Sequence, residues 1–132
     1  MPTTTANPKK TAKTILLVED DNFLATLLDT RLKKEGFWVL VAGNGEDALN
    51  ILKKTKPDLV LMDLILPEKS GFETMEAMTS DPQYGKPPVM IISNLGQKSD
   101  IDRGKKLGAV DYLVKAQTPI DVLVKKIKDF LR

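Results

Sequence analysis

At 132 residues, with 42% hydrophobic and 29% charged residues, the chain has room for one globular domain with a proper core. Its net charge of +2 is spread over separate stretches (Lys9, Lys10 and Lys13; Arg103, Lys105 and Lys106; Lys125, Lys126 and Lys128), which argues against nucleic-acid binding. The absence of Cys and His excludes disulfides, thiol nucleophiles, Cys- or His-ligated metals, imidazole bases and phosphohistidine chemistry on this chain.

Residues 1–13 are rich in Thr, Pro and Lys and have no apolar period, so they read as a disordered tail, with the folded domain over 14–132. This start lacks the apolar core of a signal peptide, and no stretch approaches the ~20 residues of a membrane span, so a cytoplasmic protein is expected. Thr14 to Val18 is a short apolar run and predicts a buried strand, followed directly by Glu19, Asp20 and Asp21. Asp21 or Asn22 caps the next helix, whose apolar stripe is Leu24, Leu27, Leu28 and Leu32 and whose end is Gly36. Phe37 to Ala42 predicts a second strand. Asn44-Gly45 then turns the chain into a helix with Glu46 and Asp47 at its positive end and Ala48, Leu49 and Leu52 inside.

The third strand is the run Leu59-Val60-Leu61-Met62, entered from Pro57-Asp58 and buried on both faces. Asp63 emerges at its carboxyl end, the edge at which ligands bind in open parallel sheets. Ser70-Gly71-Phe72-Glu73 is a capping-box pattern opening a helix with Phe72, Met75 and Met78 on its apolar side. Val89 to Ile92 is a fourth buried strand, with Ser93 just past it. A weakly apolar helix runs from about Lys98 to Leu107, interrupted by Gly104 and ended by Gly108. Val110 to Val114 is the fifth strand, and Lys115 follows it. Thr118-Pro119-Ile120-Asp121 reads as a cap, a Pro at the first helical position and an acid in the first turn; Ile120, Leu123, Val124, Ile127 and Leu131 form the buried stripe of the last helix.

Five strands alternating with five helices call for an α/β fold: a doubly wound parallel sheet of flavodoxin-like type, with strand order 2-1-3-4-5. In that order the residues just past the strands share one edge: Glu19 and Asp20, Asp63, Ser93 and Lys115. Three carboxylates in one crevice repel one another, and a hard divalent cation relieves the conflict; with oxygen as the only available donor, Mg²⁺ suits it. A carboxylate nucleophile beside Mg²⁺, a Lys and a hydroxyl is a phosphoryl-accepting arrangement.

The segments Leu16-Leu17-Val18-Glu19-Asp20-Asp21, Met62-Asp63 with Pro67 and Gly71, Ile91-Ile92-Ser93 and Asp111-Tyr112-Leu113-Val114-Lys115 resemble the receiver domain of two-component response regulators, in order and spacing, from about Thr14 to the end. The resemblance implies Asp63 as phosphoacceptor. Asp20 and Asp63 would ligate Mg²⁺ directly, Glu19 largely through metal-bound water, and the Ile65 backbone carbonyl would complete the protein ligands. Ser93 would swing to the acyl phosphate and Lys115 would pair with another of its oxygens. Tyr112 matches the aromatic that turns inward when that hydroxyl moves, and Asp21 is left to helix capping. The implied partners are a sensor histidine kinase or histidine phosphotransfer protein, which must be a separate chain because this one lacks His, and a downstream protein target. The resemblance also allows a phosphorylation-dependent homodimer through the fourth helix, fifth strand and fifth helix. Such a protein is not an enzyme, though it catalyses its own aspartyl phosphorylation and dephosphorylation. No output segment follows Arg132, so if the chain is complete it is expected to be a stand-alone receiver acting through protein contacts.

Three departures from the family carry consequences. Ala116 stands where most receivers have a Pro preceded by a cis bond; cis before Ala costs ~3–4 kcal/mol, so the bond is trans or held under strain. Ile65 and Leu95 occupy positions that carry water-orienting polar groups in receivers that lose phosphate fast, so a long-lived phosphorylated form is expected. Asn94 follows Ser93 where a smaller residue is commoner and is expected to crowd phosphate entry. Gly43-Asn44-Gly45-Glu46-Asp47-Ala48 matches a dinucleotide fingerprint, but it follows the second strand, not the first, and reads as a turn and cap. A haloacid-dehalogenase-like phosphatase would need a second Asp where Ile65 stands. The competing class is a receiver-like interaction scaffold that is not phosphorylated, which Mg²⁺ binding and phosphodonor labelling distinguish.

Overall fold

The computed structural model describes residues 12–132. The predicted tail therefore lies outside the described residues except for Ala12 and Lys13, and the Lys13 carbonyl already accepts the Trp38 N–H at 2.9 Å. The chain runs β1 (Thr14–Val18), α1 (Asn22–Lys34), β2 (Trp38–Ala42), α2 (Gly45–Lys54), β3 (Leu59–Met62), α3 (Gly71–Ser80), β4 (Val89–Ser93), α4 (Lys98–Lys106), β5 (Asp111–Val114) and α5 (Ile120–Leu131). Short 3-10 turns at Pro82–Tyr84 and Lys115–Gln117 were not legible beforehand. All strand pairs are parallel and the order is β2-β1-β3-β4-β5, the flavodoxin-like arrangement expected.

Because side chains alternate across a strand, the sheet feeds two cores. Ile15, Leu17, Leu61 and Ile92 face α1 and α5; Leu16, Val18, Met62 and Ile91 face α2 and α3. The central strands are buried on both sides, which is why they read as unbroken apolar runs. β2 is an edge strand, and its Trp38 and Val41 stay exposed.

Three local expectations are corrected. The inward face of α1 is Ala25, Leu28 and Leu32; Leu24 is only half-buried and Leu27 is exposed. Successive helical residues are turned by about 100°, so Leu27 and Leu28 cannot both face the sheet. Thr118 does not cap α5, because its hydroxyl donates to the Val114 carbonyl at 2.9 Å, and Pro119 takes the cap position. Gly104 is not a weak point of α4: a Cβ there would lie 2.7 Å from Ile91 Cδ1 and 3.1 Å from the Tyr112 ring, so its lack of a side chain lets α4 settle on β4 and β5. Arg103 stacks over the Phe72 ring at 4.3 Å and ties α4 to α3.

The loop from Asp63 into α3 is closed by local chemistry. The capping box forms in both halves, Ser70 Oγ accepting Glu73 N–H at 3.1 Å and Glu73 Oε1 accepting Ser70 N–H at 2.9 Å. Gly71 donates to the Leu64 carbonyl at 2.9 Å. A Cβ on Gly71 would sit 2.2 Å from the Asp63 carbonyl oxygen and 2.7 Å from Leu64 Cα, both backbone atoms with little room to retreat. Gly71→Ala is therefore expected to destabilise the fold by roughly 2–3 kcal/mol, read as a lower urea midpoint with unchanged slope.

Candidate functional site

The site is built at the carboxyl edge of β1 and β3. Their register pairs Val18 with Met62, so the next residues, Glu19 and Asp63, stand side by side. The Asp63 N–H donates to the Val18 carbonyl at 3.0 Å and the Glu19 N–H to the Ala42 carbonyl at 2.9 Å, which carries the sheet's pairing one step into the site. Glu19 and Asp63 are buried and Asp20 is exposed. Carboxylate oxygens of all three lie within 4.8 Å of one another. Asp21 does not join them: its Oδ1 accepts the Phe23 and Leu24 N–H groups and caps α1.

Lys115, in the turn after β5, reaches across β4 to this cluster. Its Nζ lies 3.0 Å from Asp63 Oδ2 and 2.8 Å from Glu19 Oε1. The sequence reading put Lys115 on a phosphoryl oxygen and foresaw neither ion pair, because nothing local signals that a Lys will bridge two acids brought together by strand register. Glu19 Oε2 accepts the Asp21 N–H at 3.0 Å, but Oε1 is buried and no donor approaches it with hydrogen-bond geometry, so its contact with Lys115 is an ion pair. Burial pushes the Glu19 carboxyl above the usual range and the Asp63 charge adds to it, outweighing the opposing Lys115 ammonium and Asp21 amide. For Lys115, burial pulls downward, but the two carboxylates more than cancel it and hold the ammonium above its ordinary value.

Asp63 Oδ1 accepts the Ile65 N–H at 3.3 Å. The Ile65 side chain is 57% exposed and stands outside the cluster. Ser93 proves to be the last residue of β4 and is fully buried; its Oγ accepts the Leu95 N–H at 3.2 Å. The Leu95 carbonyl in turn accepts the Tyr112 hydroxyl, whose pKa burial pushes up to about 12, with Asp100 and Asp63 adding to the shift. Asn94 does not lie loose beside the site: its Oδ1 accepts the Ala116 N–H at 3.0 Å. There is no cis peptide among the described residues, so the bond between Lys115 and Ala116 is trans.

The donor set fits a hard divalent cation: oxygen ligands only, three converging carboxylates, and one buried carboxylate oxygen without a well-directed donor. Beside it, Asp63 combines the exposure-limited position, the adjacent ammonium and the nearby hydroxyl loop that a carboxylate phosphoryl acceptor requires.

Comparison with known proteins gives the same picture. A family model of the response regulator receiver domain matches residues 15–128. The chain is 38% identical over 107 residues to protein PilH of Pseudomonas aeruginosa, covering 81% of this chain and 86% of PilH. It is 41% identical over 118 residues to the transcriptional regulatory protein CpxR of Escherichia coli, covering 89% of this chain and 49% of CpxR. The chain thus spans about half the length of several curated relatives it matches. Among solved structures, the BeF3-activated N-terminal receiver domain of Klebsiella pneumoniae RstA superposes with a TM-score of 0.80 at 31% identity, over 90% of this chain and 98% of that one.

Proposed function

The chain belongs to the family of response regulator receiver domains, and from that membership we propose that it is the phosphoacceptor of a two-component phosphorelay, phosphorylated on Asp63. The observation that carries this reading is the cluster of Glu19, Asp20 and Asp63 oxygens with Lys115 resting on Asp63. An Asp63 oxygen attacks the phosphorus of a phosphohistidine on a separate kinase or phosphotransfer protein. The O–P bond forms as the N–P bond breaks, and the released imidazole nitrogen takes a proton from solvent. Glu19, Asp20, Asp63 and the Ile65 carbonyl would hold Mg²⁺, which when bound supplies positive charge to the phosphoryl oxygens. Lys115, already on Asp63 Oδ2, pairs with a phosphoryl oxygen. Ser93 gives up the Leu95 N–H and donates its hydroxyl to another.

That move disturbs the loop whose Leu95 carbonyl holds the Tyr112 hydroxyl, so Tyr112 reports the state of Asp63 to the face formed by α4, β5 and α5. A downstream protein or a second copy of the chain reads that face. The protein catalyses its own aspartyl phosphorylation and dephosphorylation. Among the described residues no helix is long and apolar enough to cross a membrane.

The test is labelling with acetyl phosphate, which is expected to need Mg²⁺ and to stop when the ion is chelated; labelling that ignores chelation would overturn the reading. Mg²⁺ affinity should also depend on pH with a defined sign. Glu19 is held above the usual carboxylate range, so as pH falls it takes up a proton, and loses its attraction for the cation, before an ordinary carboxylate would. Titration calorimetry across pH should show affinity declining from above that range, with proton release on binding, and Glu19→Gln should flatten the upper part of the decline.

The two apolar positions flanking the acceptor predict a slow loss of phosphate. Ile65 stands exposed beside Asp63, and Leu95 packs against the core next to Ser93; neither can orient a water for attack. Phosphate loss after donor removal is expected to take minutes rather than seconds, and Ile65→Asn is expected to shorten it.

A further inference from the structure

We propose that Asn94 is a positioning residue, whose side chain straps the turn bearing Lys115 to the loop that follows Ser93. The proposal rests on the reading of Asp63 as phosphoacceptor. β4 and β5 pair in register up to Ser93 and Val114, where the sheet ends. The next residues would separate, since the backbone turns into α4 on one side and into the Lys115–Gln117 turn on the other. The Asn94 side chain closes this gap: its Oδ1 accepts the Ala116 N–H at 3.0 Å, across 22 residues of sequence.

Both partners sit next to residues that face Asp63's chemistry. Asn94 follows Ser93 and Ala116 follows Lys115, so a bond between them makes the two loops move as one. The first N–H groups of a helical turn have no acceptor within it, and Asn94 supplies one from another element. The turn is otherwise closed by Thr118, whose N–H donates to the Lys115 carbonyl at 3.3 Å and whose hydroxyl donates to the Val114 carbonyl at 2.9 Å. The strap also depends on residue 116 not being proline, which has no N–H to offer. Ala116 with a trans bond and Asn94 with an acceptor oxygen are thus two halves of one device, which holds Lys115 over Asp63 without a proline at that turn.

The experiment is a double-mutant cycle on Asn94→Ala and Ala116→Pro, with three readouts: amide exchange at Ala116, the rate of acetyl phosphate labelling, and Mg²⁺ affinity before phosphorylation. Both partners are exposed, so the bond competes with water, and Asn94→Ala should speed Ala116 exchange and slow labelling by about three- to tenfold. Mg²⁺ affinity should not fall, because the carboxylates are not strapped and a looser Lys115 competes less for their oxygens. In the Ala116→Pro background the Asn94→Ala change should add nothing further to labelling. With Ala116 in place, Asn94→Asp, which keeps the acceptor oxygen, should retain the Ala116 protection that Asn94→Ala loses. Unchanged Ala116 exchange in Asn94→Ala overturns the strap. Faster exchange with an unaltered labelling rate, or additive effects in the cycle, overturns its positioning role. If the unmutated chain takes no label at all, the phosphoacceptor reading fails instead; the strap is then judged by Ala116 exchange and by the Lys115 Nζ resonance, which must shift in Asn94→Ala for the proposal to stand.

Discussion

Asp63→Asn is expected to reduce acetyl phosphate labelling to background while leaving the fold intact. The amide is nearly the same size as the carboxylate and can still accept the Ile65 N–H, so packing at the end of β3 is preserved. What disappears is the carboxylate at the end of β3, buried in the acidic cluster with Lys115 Nζ 3.0 Å from its Oδ2. Replacing one carboxylate ligand by a neutral amide should also weaken Mg²⁺ binding, because the site loses one of its negative charges. Stability without Mg²⁺ should not fall, because Glu19 loses a like charge within 4.8 Å and keeps its ion pair with Lys115. Intact-mass measurement after incubation with the donor reads the first outcome. A full phosphoryl increment on Asp63→Asn would end the assignment of Asp63.

Lys115→Met is expected to separate stability from metal binding, moving them in opposite directions. Lys115 neutralises two buried carboxylates at once, at 2.8 and 3.0 Å. Its own side chain is only 21% exposed, so water cannot replace it well. Removing one partner of a buried pair leaves an uncompensated charge, and the metal-free protein should lose about 3 kcal/mol. Glu19 recovers part of that loss by taking up a proton more readily, since its carboxyl is already held high by burial. Mg²⁺ should bind more tightly to the variant, because it no longer competes with an ammonium for the same oxygens, and added Mg²⁺ should restore most of the lost thermal stability. Labelling should nevertheless be slow, since the cation that pairs with a phosphoryl oxygen is gone. Thermal melts with and without Mg²⁺ decide this: equal losses in both would mean that Lys115 is a packing residue and not the counter-charge of the site.

The elements themselves were legible because their signals are local. The unbroken apolar runs that became β1, β3 and β4, the capping box at Ser70 and Glu73, and the Asn44 cap of α2 each involve residues within a few positions of one another. The caps depend little on the rest of the chain for their energy, and a run that is apolar throughout signals burial on both faces whichever neighbours supply it. Where a local rule met a tertiary demand, the tertiary demand prevailed. Gly104 reads as a helix breaker, yet its missing side chain is what admits Ile91 and Tyr112 beneath α4. Thr118 reads as a cap, yet its hydroxyl closes the preceding turn on Val114. Leu27 belongs to an apolar stripe by spacing but faces outward, because the sheet meets α1 along Ala25, Leu28 and Leu32.

By itself the sequence determined which chemistry is open to this protein: with no His and no Cys, carboxylates, hydroxyls, lysine and a hard cation are what remain. It also determined which strand ends carry those groups. Only the tertiary structure decided how they meet. The pairing of Val18 with Met62 sets Glu19 beside Asp63, Lys115 bridges both from 52 residues beyond Asp63, and Asn94 finds Ala116. These contacts are governed by strand register and by where the loops after β4 and β5 turn. A shift of one residue in register would send each side chain to the opposite face, and no short-range preference encodes that choice.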